Sequence, residues 1–304
     1  MIDGHRVIAW VPWGRRKTTS ILVEYLKRDH AVGVVDEVWI CENVGPGQDD
    51  DLAYGRELAA QHDFITCKQF PPGWVPMSRI QRNTGSFYRY MTDPETIYIR
   101  LDDDIVYIHP AALARLARAK IQMPKTTACF ALIWNNAICT YYLQNTPRLD
   151  DPQQTIVPRA WGEVRPFCMD GHGWADGQFA VNMHRLLLDH ITDNTVDQLF
   201  LYQDYALQLG QQFSVSCFAS AGAQYAALPD GPGVLVPDEE ESWHTIHRTV
   251  STGIPNMIIG NALVSHYSFG PQHGVLYPTD ILDRYRELAA TLNQTNSVDK
   301  VDAA

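Results

Sequence analysis

The chain has 304 residues, 45% hydrophobic and 19% charged, which is ordinary for a soluble globular protein and enough for one large α/β domain or two small ones without disulfide staples. Its formal net charge of −11 is uneven: 15 basic residues face 16 acidic ones up to residue 120, and 9 face 19 beyond it, so the second half opposes broad, non-specific binding to nucleic acid. Six scattered cysteines without a CxxC pair, an N-terminus without signal-peptide form and no run near the ~18 apolar residues that span a bilayer set the expectation of a reduced, cytoplasmic chain with no membrane span and no obligate protein partner.

Taken in order, residues 6–11 (RVIAWV) read as a buried strand broken by Pro12 and Gly14. Thr18 or Thr19 is placed to cap the following helix, SILVEYLKRD, whose Ile21, Leu22, Tyr25 and Leu26 share one face. A second strand is expected over 35–44, a helix near LAYGRELAAQ, a short strand at FITC, and a loop at Pro71-Pro72-Gly73. Residues 78–91 read as a helix, and 96–108 (TIYIRLDDDIVYI) as one strand running through an acidic triplet. Pro110 then starts a helix, and 128–134 forms another apolar strand. Strands alternating with helices point to a parallel sheet with right-handed crossovers.

Beyond residue 135 the pattern loosens. Residues 135–175 read as long loops with short strands. FAVNMHRLLLDHI and QDYALQLGQQ read as helices, SVSCFA as a strand and 228–255 as a mobile loop. NMIIGNALVSHYSF reads as a strand ending at His266, ILDRYRELAATLN as the last helix and 295–304 as a frayed tail.

The strongest chemical signal is Asp102-Asp103-Asp104 within an apolar strand. Three consecutive carboxylates are costly to bury unpaired, and a hard divalent cation such as Mg²⁺ or Mn²⁺ would neutralise them. An exposed acidic turn is the plain alternative, and phosphatases, kinases and nucleases also use acidic clusters. With the preceding segment RNTGSFYRYM and its place about 100 residues into the chain, the triplet resembles the DxD motif of GT-A-fold glycosyltransferases.

That resemblance implies a Rossmann-like mixed sheet flanked by helices, in one globular α/β domain. Residues 1–134 would form the nucleotide-sugar-binding half and 135–294 the acceptor-binding half. It also implies that Asp104 ligates the metal while Asp102 and Asp103 meet ribose, a sugar hydroxyl or a supporting partner, with Asp102 a further ligand. Gly171-His172-Gly173-Trp174-Ala175-Asp176-Gly177 looks like the family's glycine-rich sugar loop, with Trp174 stacking on the acceptor and Asp176 bonding a hydroxyl. Gln203-Asp204 resembles the (E/Q)D start of a helix that supplies the catalytic base in inverting members, although a helix N-cap suits Asp204 equally. His266, with His273 as fallback, matches the position of a third metal ligand.

Arg15, Arg16 and Lys17 precede a helix and suit a diphosphate, or else form a solvated basic turn. Arg82 and Ser86 would reach the nucleoside, and the H-x-x-H of His244 and His247 invites a zinc reading without a Cys or acidic partner at fixed spacing to support it. The function implied is Mn²⁺- or Mg²⁺-dependent transfer of a sugar from a nucleoside-diphosphate donor, a UDP-sugar before others, to a hydroxyl of a glycan or a hydroxymethylated DNA base. The competing readings are an idle GT-A-like glycan- or nucleotide-binding module and a metal-dependent nucleotidyltransferase.

Overall fold

The structure, a computed structural model, describes residues 1–45, 47–70, 84–144, 165–227 and 240–298. Nine strands form one mixed sheet: β1 Arg6–Trp13, β2 Glu37–Glu42, β3 Ile65–Lys68, β4 Thr96–Leu101, β5 Ile105–Ile108, β6 Cys129–Trp134, β7 Tyr205–Ala206, β8 Cys217–Ala221 and β9 Met257–His266. The order is β3-β2-β1-β4-β8-β6-β9-β5, with β7 attached to β9. Helices α1 Arg16–Ala31, α2 Asp49–Gln61, α3 Ala112–Gln122, α4 Ala137–Gln144 and α5 Gly177–Thr192 lie on its faces, with a C-terminal helix Ile281–Val298. This is a single globular α/β domain of GT-A-like, Rossmann-type architecture, and β8 and β9 bring the second half of the chain into the sheet of the first.

The topology decides where a site forms. Strands β1, β2, β3 and β4 run parallel. Strand β8 is antiparallel to both β4 and β6, and β9 is parallel to β6. The carboxyl ends of β1, β4, β6 and β9 therefore share one edge, where ligands bind in open α/β sheets.

Several expectations are corrected. Residues 96–108 form two strands: β4 lies inside the sheet and β5 at its far edge, so the acidic triplet is the turn where the chain leaves one for the other. Strand β1 continues through Pro12 to Trp13, because its pairing with β4 ends at Trp10 and no ladder bond there requires the missing N–H. Neither Thr18 nor Thr19 caps α1; both hydroxyls donate to the Arg15 carbonyl from inside the first turn.

The helix expected at 203–212 is replaced by β7 and turns. Gln203 lies so close to β9 that a Cβ on Gly260 would sit 2.4 Å from its carbonyl oxygen. Part of the expected loop at 228–255 is helical: Glu240–Ser242, Trp243–His247 with π geometry, and Arg248–Thr252. Residues 84–90 form a 3₁₀ turn. The remainder of the segment expected at 78–91, including Arg82, and the last residues of the tail from 299 lie outside the described residues. No described helix is long and apolar enough to cross a membrane.

Candidate metal centre

The Asp102–Asp104 turn is clamped from three sides. Ser216 takes the Asp102 amide at 2.8 Å, the Tyr267 amide donates to the Asp104 carbonyl at 2.9 Å, and the Thr18 hydroxyl donates to the Asp103 carbonyl at 2.7 Å. Strand β8, strand β9 and helix α1 thus fix one short turn at the carboxyl edge.

The three carboxylates have different surroundings. Asp102 accepts from Arg100 Nη1 at 2.7 Å, and its other oxygen lies 3.9 Å from His266 Nε2. Asp103 faces Arg15, with Nε at 2.7 Å and a second contact from Nη2. Asp104 bridges Arg15 Nη1 at 2.9 Å and His266 Nε2 at 3.2 Å. Asp104 Oδ1 and His266 Nδ1 are buried without a well-formed hydrogen bond. The ligand atoms of Asp102, Asp104 and His266 all lie within 4.8 Å of one another, the one such cluster among the described residues.

The electrostatics follow from burial set against charge. Burial alone would raise Asp104, but Arg15 and His266 hold it well below the usual carboxylate range. Asp102 is likewise lowered, as burial is outweighed by Arg100 with help from His266. Asp103, turned from the imidazole, stays raised by burial despite Arg15. Burial would lower His266, yet Asp104 and Asp102 raise it.

Two carboxylates and one imidazole make a hard-to-borderline donor set that suits Mn²⁺, or Mg²⁺ with more of its own water. The converging ligand atoms of Asp102, Asp104 and His266 fit such an ion.

Arg100 is the group that aims Asp102. It is 5% exposed inside β4, and Glu240 neutralises it through Nε at 2.7 Å and Nη2 at 3.1 Å. Tyr88 adds a hydroxyl bond to Glu240 at 2.6 Å. A buried guanidinium held on two sides has little freedom, so its remaining nitrogen fixes the Asp102 carboxylate. Neither Arg100 nor Glu240 stands out in the sequence, where one reads as a strand residue and the other as part of an acidic loop.

The cluster opens onto a cavity of about 280 Å³ whose walls include Arg15, Trp174, Phe269 and Glu241. Trp174, picked out from the sequence, is therefore beside the cluster, with its ring 6.5 Å from that of Phe269. A second cavity of about 260 Å³ lies on the other side of the Arg15–Asp104 pair, lined by Arg16, Lys17, Thr18 and Tyr277. The first amide of α1 is already met there by Asp51 at 2.7 Å. Arg16 covers the Tyr54 ring and Lys17 the Tyr277 ring.

Other expected residues lie elsewhere. Asp204 is exposed beside β7 and accepts from the Gly260 amide at 2.8 Å, away from the walls of the cavity. Asp176 is the N-cap of α5 and accepts from the amides of Gln178 and Phe179, so its Oδ1 serves the helix rather than a ligand. His273 stacks on Tyr277 outside the ligand cluster. His244 is structural: it is fully buried between Tyr225 and the Glu240 carbonyl. Ser86 is buried in the 3₁₀ turn. Glu241 is the carboxyl that sequence reasoning missed, because the acidic run around it carries no pattern that separates a cavity wall from a solvated loop.

No protein-family model matches the sequence, and no curated protein sequence does. Among solved structures the chain is similar to a mycobacterial protein at 12% identity, over 87% of this chain and 68% of that one, with a TM-score of 0.46. It is similar to CMP:2-keto-3-deoxy-manno-octonic acid synthetase in complex with CTP at 13% identity, over 95% and 98%, with a TM-score of 0.40. It is also similar to glucosyl-3-phosphoglycerate synthase from Mycobacterium tuberculosis, solved with Mn²⁺, UDP-glucose and phosphoglyceric acid, at 16% identity, over 64% and 68%, with a TM-score of 0.34.

Proposed function

We propose that the protein is a metal-dependent glycosyltransferase that takes a sugar from a nucleoside-diphosphate donor, a UDP-sugar before others, and passes it to a hydroxyl acceptor. The observation that carries this reading is the convergence of Asp102, Asp104 and His266 at the carboxyl edge of the sheet, at the mouth of a cavity with Arg15 on its rim. A divalent ion held by these three side chains would supply a Lewis acid for the diphosphate as it departs.

The protein's own groups account for the rest. Arg15 offsets the charge of Asp103 and Asp104 through its guanidinium and, with its side chain 40% exposed, stays on the rim where a diphosphate would arrive. Arg16 and Lys17 extend that charge along the neighbouring cavity. Arg100 keeps the Asp102 carboxylate turned toward His266. Trp174 and Phe269 give the cavity an apolar wall suited to the C–H face of a sugar.

The test is product analysis with UDP-glucose and GDP-mannose, with and without Mn²⁺. Release of nucleoside diphosphate only with the metal supports the reading. Pyrophosphate released from a nucleoside triphosphate offered with a sugar 1-phosphate, with no nucleoside diphosphate formed from the two nucleotide sugars, would make the protein a nucleotidyltransferase instead. Nucleotide-sugar binding without turnover would mark an idle binding module.

A further inference from the structure

A third cavity, of about 310 Å³, lies next to the first and belongs to no group assigned so far; Arg165, Phe167, Gln208, Leu209 and Gln212 are among its lining residues. Phe167 is 61% and Leu209 51% exposed. An aromatic ring left facing water at the mouth of a cleft offers a flat apolar surface that a sugar's C–H face can cover. Amide side chains beside it match hydroxyl pairs, since each amide both donates and accepts.

The charge argues for a neutral ligand. The one cation among the described lining residues, Arg165, is already committed to Gln211 Oε1 at 2.7 Å and to the Tyr142 ring at 5.0 Å. Among the described lining residues that single positive charge is too little for a phosphate backbone, which is held by several cations.

The two cavities meet at Glu241. Gln212 lines the third cavity and donates from Nε2 to Glu241 Oε1 at 2.5 Å, while Glu241 lines the first cavity with Asp102 and Asp104. Cys168, next in sequence to Phe167, lies 4.0 Å from the same carboxylate oxygen and also lines the first cavity.

We propose that this third cavity is the acceptor subsite for a neutral polyhydroxylated molecule, a glycan, and that Glu241 takes the proton of its reacting hydroxyl. The inference rests on the glycosyltransferase reading. In the step it implies, the hydroxyl proton passes to a Glu241 carboxylate oxygen and the acceptor oxygen bonds to the anomeric carbon of the donor. The bond from that carbon to the diphosphate oxygen breaks, and its electron pair leaves with the nucleoside diphosphate. A single displacement of this kind inverts the anomeric configuration. Burial first, and then Asp102 and Glu240, raise Glu241 to about 6 against the opposing effects of Gln212 and Arg100, so the group is ionised at neutral pH and remains a usable base.

The experiment uses the full chain with Mn²⁺ and UDP-glucose, with p-nitrophenyl glycosides and duplex DNA carrying 5-hydroxymethylcytosine as acceptor probes. Transfer to glycosides with inversion is expected. Phe167→Ala should raise the glycoside KM about tenfold, as expected for a lost stacking face. Glu241→Gln should lower kcat about 100-fold or more, with Mn²⁺ affinity by electron paramagnetic resonance within threefold of the parent, which also shows that the variant is folded. A glycoside KM within twofold in Phe167→Ala, transfer to the DNA but to no glycoside, a retained product, or kcat within tenfold in Glu241→Gln overturns the proposal. Hydrolysis of UDP-glucose needs no acceptor cleft. Its absence in the parent protein with Mn²⁺, together with the absence of GDP-mannose hydrolysis, overturns the glycosyltransferase reading itself, and this inference with it.

Discussion

Two buried regions of the molecule treat the imidazole ring in opposite ways. Inside the scaffold, His184 and His244 are fully enclosed by neutral partners: His184 by Tyr285 and the Tyr267 carbonyl, His244 by Tyr225 and the Glu240 carbonyl. Burial lowers them to about 4 and about 3. At the carboxyl edge His266 is nearly as buried, yet Asp104 and Asp102 raise it. The aspartates divide in the same way. Asp176 and Asp204 spend an oxygen on backbone amides, whereas Asp104 keeps a buried oxygen without a well-formed hydrogen bond. The scaffold meets its buried imidazoles with neutral partners, whereas the carboxyl edge gathers two carboxylates around one imidazole.

The sharpest way to break this comparison is Asp104→Asn, which keeps the side-chain volume and removes one anionic ligand. Mn²⁺ affinity should fall at least 100-fold by electron paramagnetic resonance, and metal-dependent nucleotide-sugar turnover by roughly 10³. A variant that binds Mn²⁺ as the parent does would show that the cluster is an internal ion-pair network and no metal centre.

What the sequence made legible follows from the range of the forces involved. The triplet, His266 as the end of a strand, and the strand–helix alternation of the first half are local patterns, legible in residues 6–134 and 257–266. The split of 96–108 is not, because an apolar run on either side of three aspartates looks continuous until pairing partners are known. Strand β5 is set by β9, about 160 residues later. The helix expected at 203–212 fails for a related reason: the segment has helix-forming composition, but close approach to Gly260 and pairing with β9 override that preference. Arg100 and Glu240 acquire their roles through a contact 140 residues apart, and Glu241 through Gln212 and Cys168, 29 and 73 residues away.

Acidification sharpens the same comparison at a smaller scale. His184 and His244 have folded values below the usual imidazole value of 6.5, so the unfolded chain takes up protons first as pH falls. Their contribution to stability is complete above about pH 6.5 and is lost between there and about 3–4. Asp29 and Glu241, each raised to about 6, act in the opposite sense. They favour the folded state below their unfolded values and lose that contribution as pH rises through about 6. The histidine shifts are the larger pair, so urea unfolding should show lower stability at pH 4.5 than at pH 7, by about 1–2 kcal/mol once the two carboxyls are set against them. Equal stability at the two values would mean that these imidazoles are not held neutral.

The most local expected effects come from the two aspartates committed to amides. Asp176→Ala removes the cap of α5 and should cost about 1 kcal/mol. Asp204→Ala leaves the amide of Gly260, a buried residue of β9, without its acceptor, so about 1–3 kcal/mol is expected. Both figures are read from urea midpoints with an unchanged slope. Because Asp204 lies at the edge of β9, outside the walls of the reactive cavity, kcat in Asp204→Ala should stay within twofold of the parent. A 100-fold fall in kcat with stability intact would return the role of base to Asp204. It would also mean that the segment 203–206 leaves Gly260 and swings toward the triplet during turnover, a motion that the close approach of the Gln203 carbonyl to Gly260 and the pairing of Tyr205 with Ile258 both oppose.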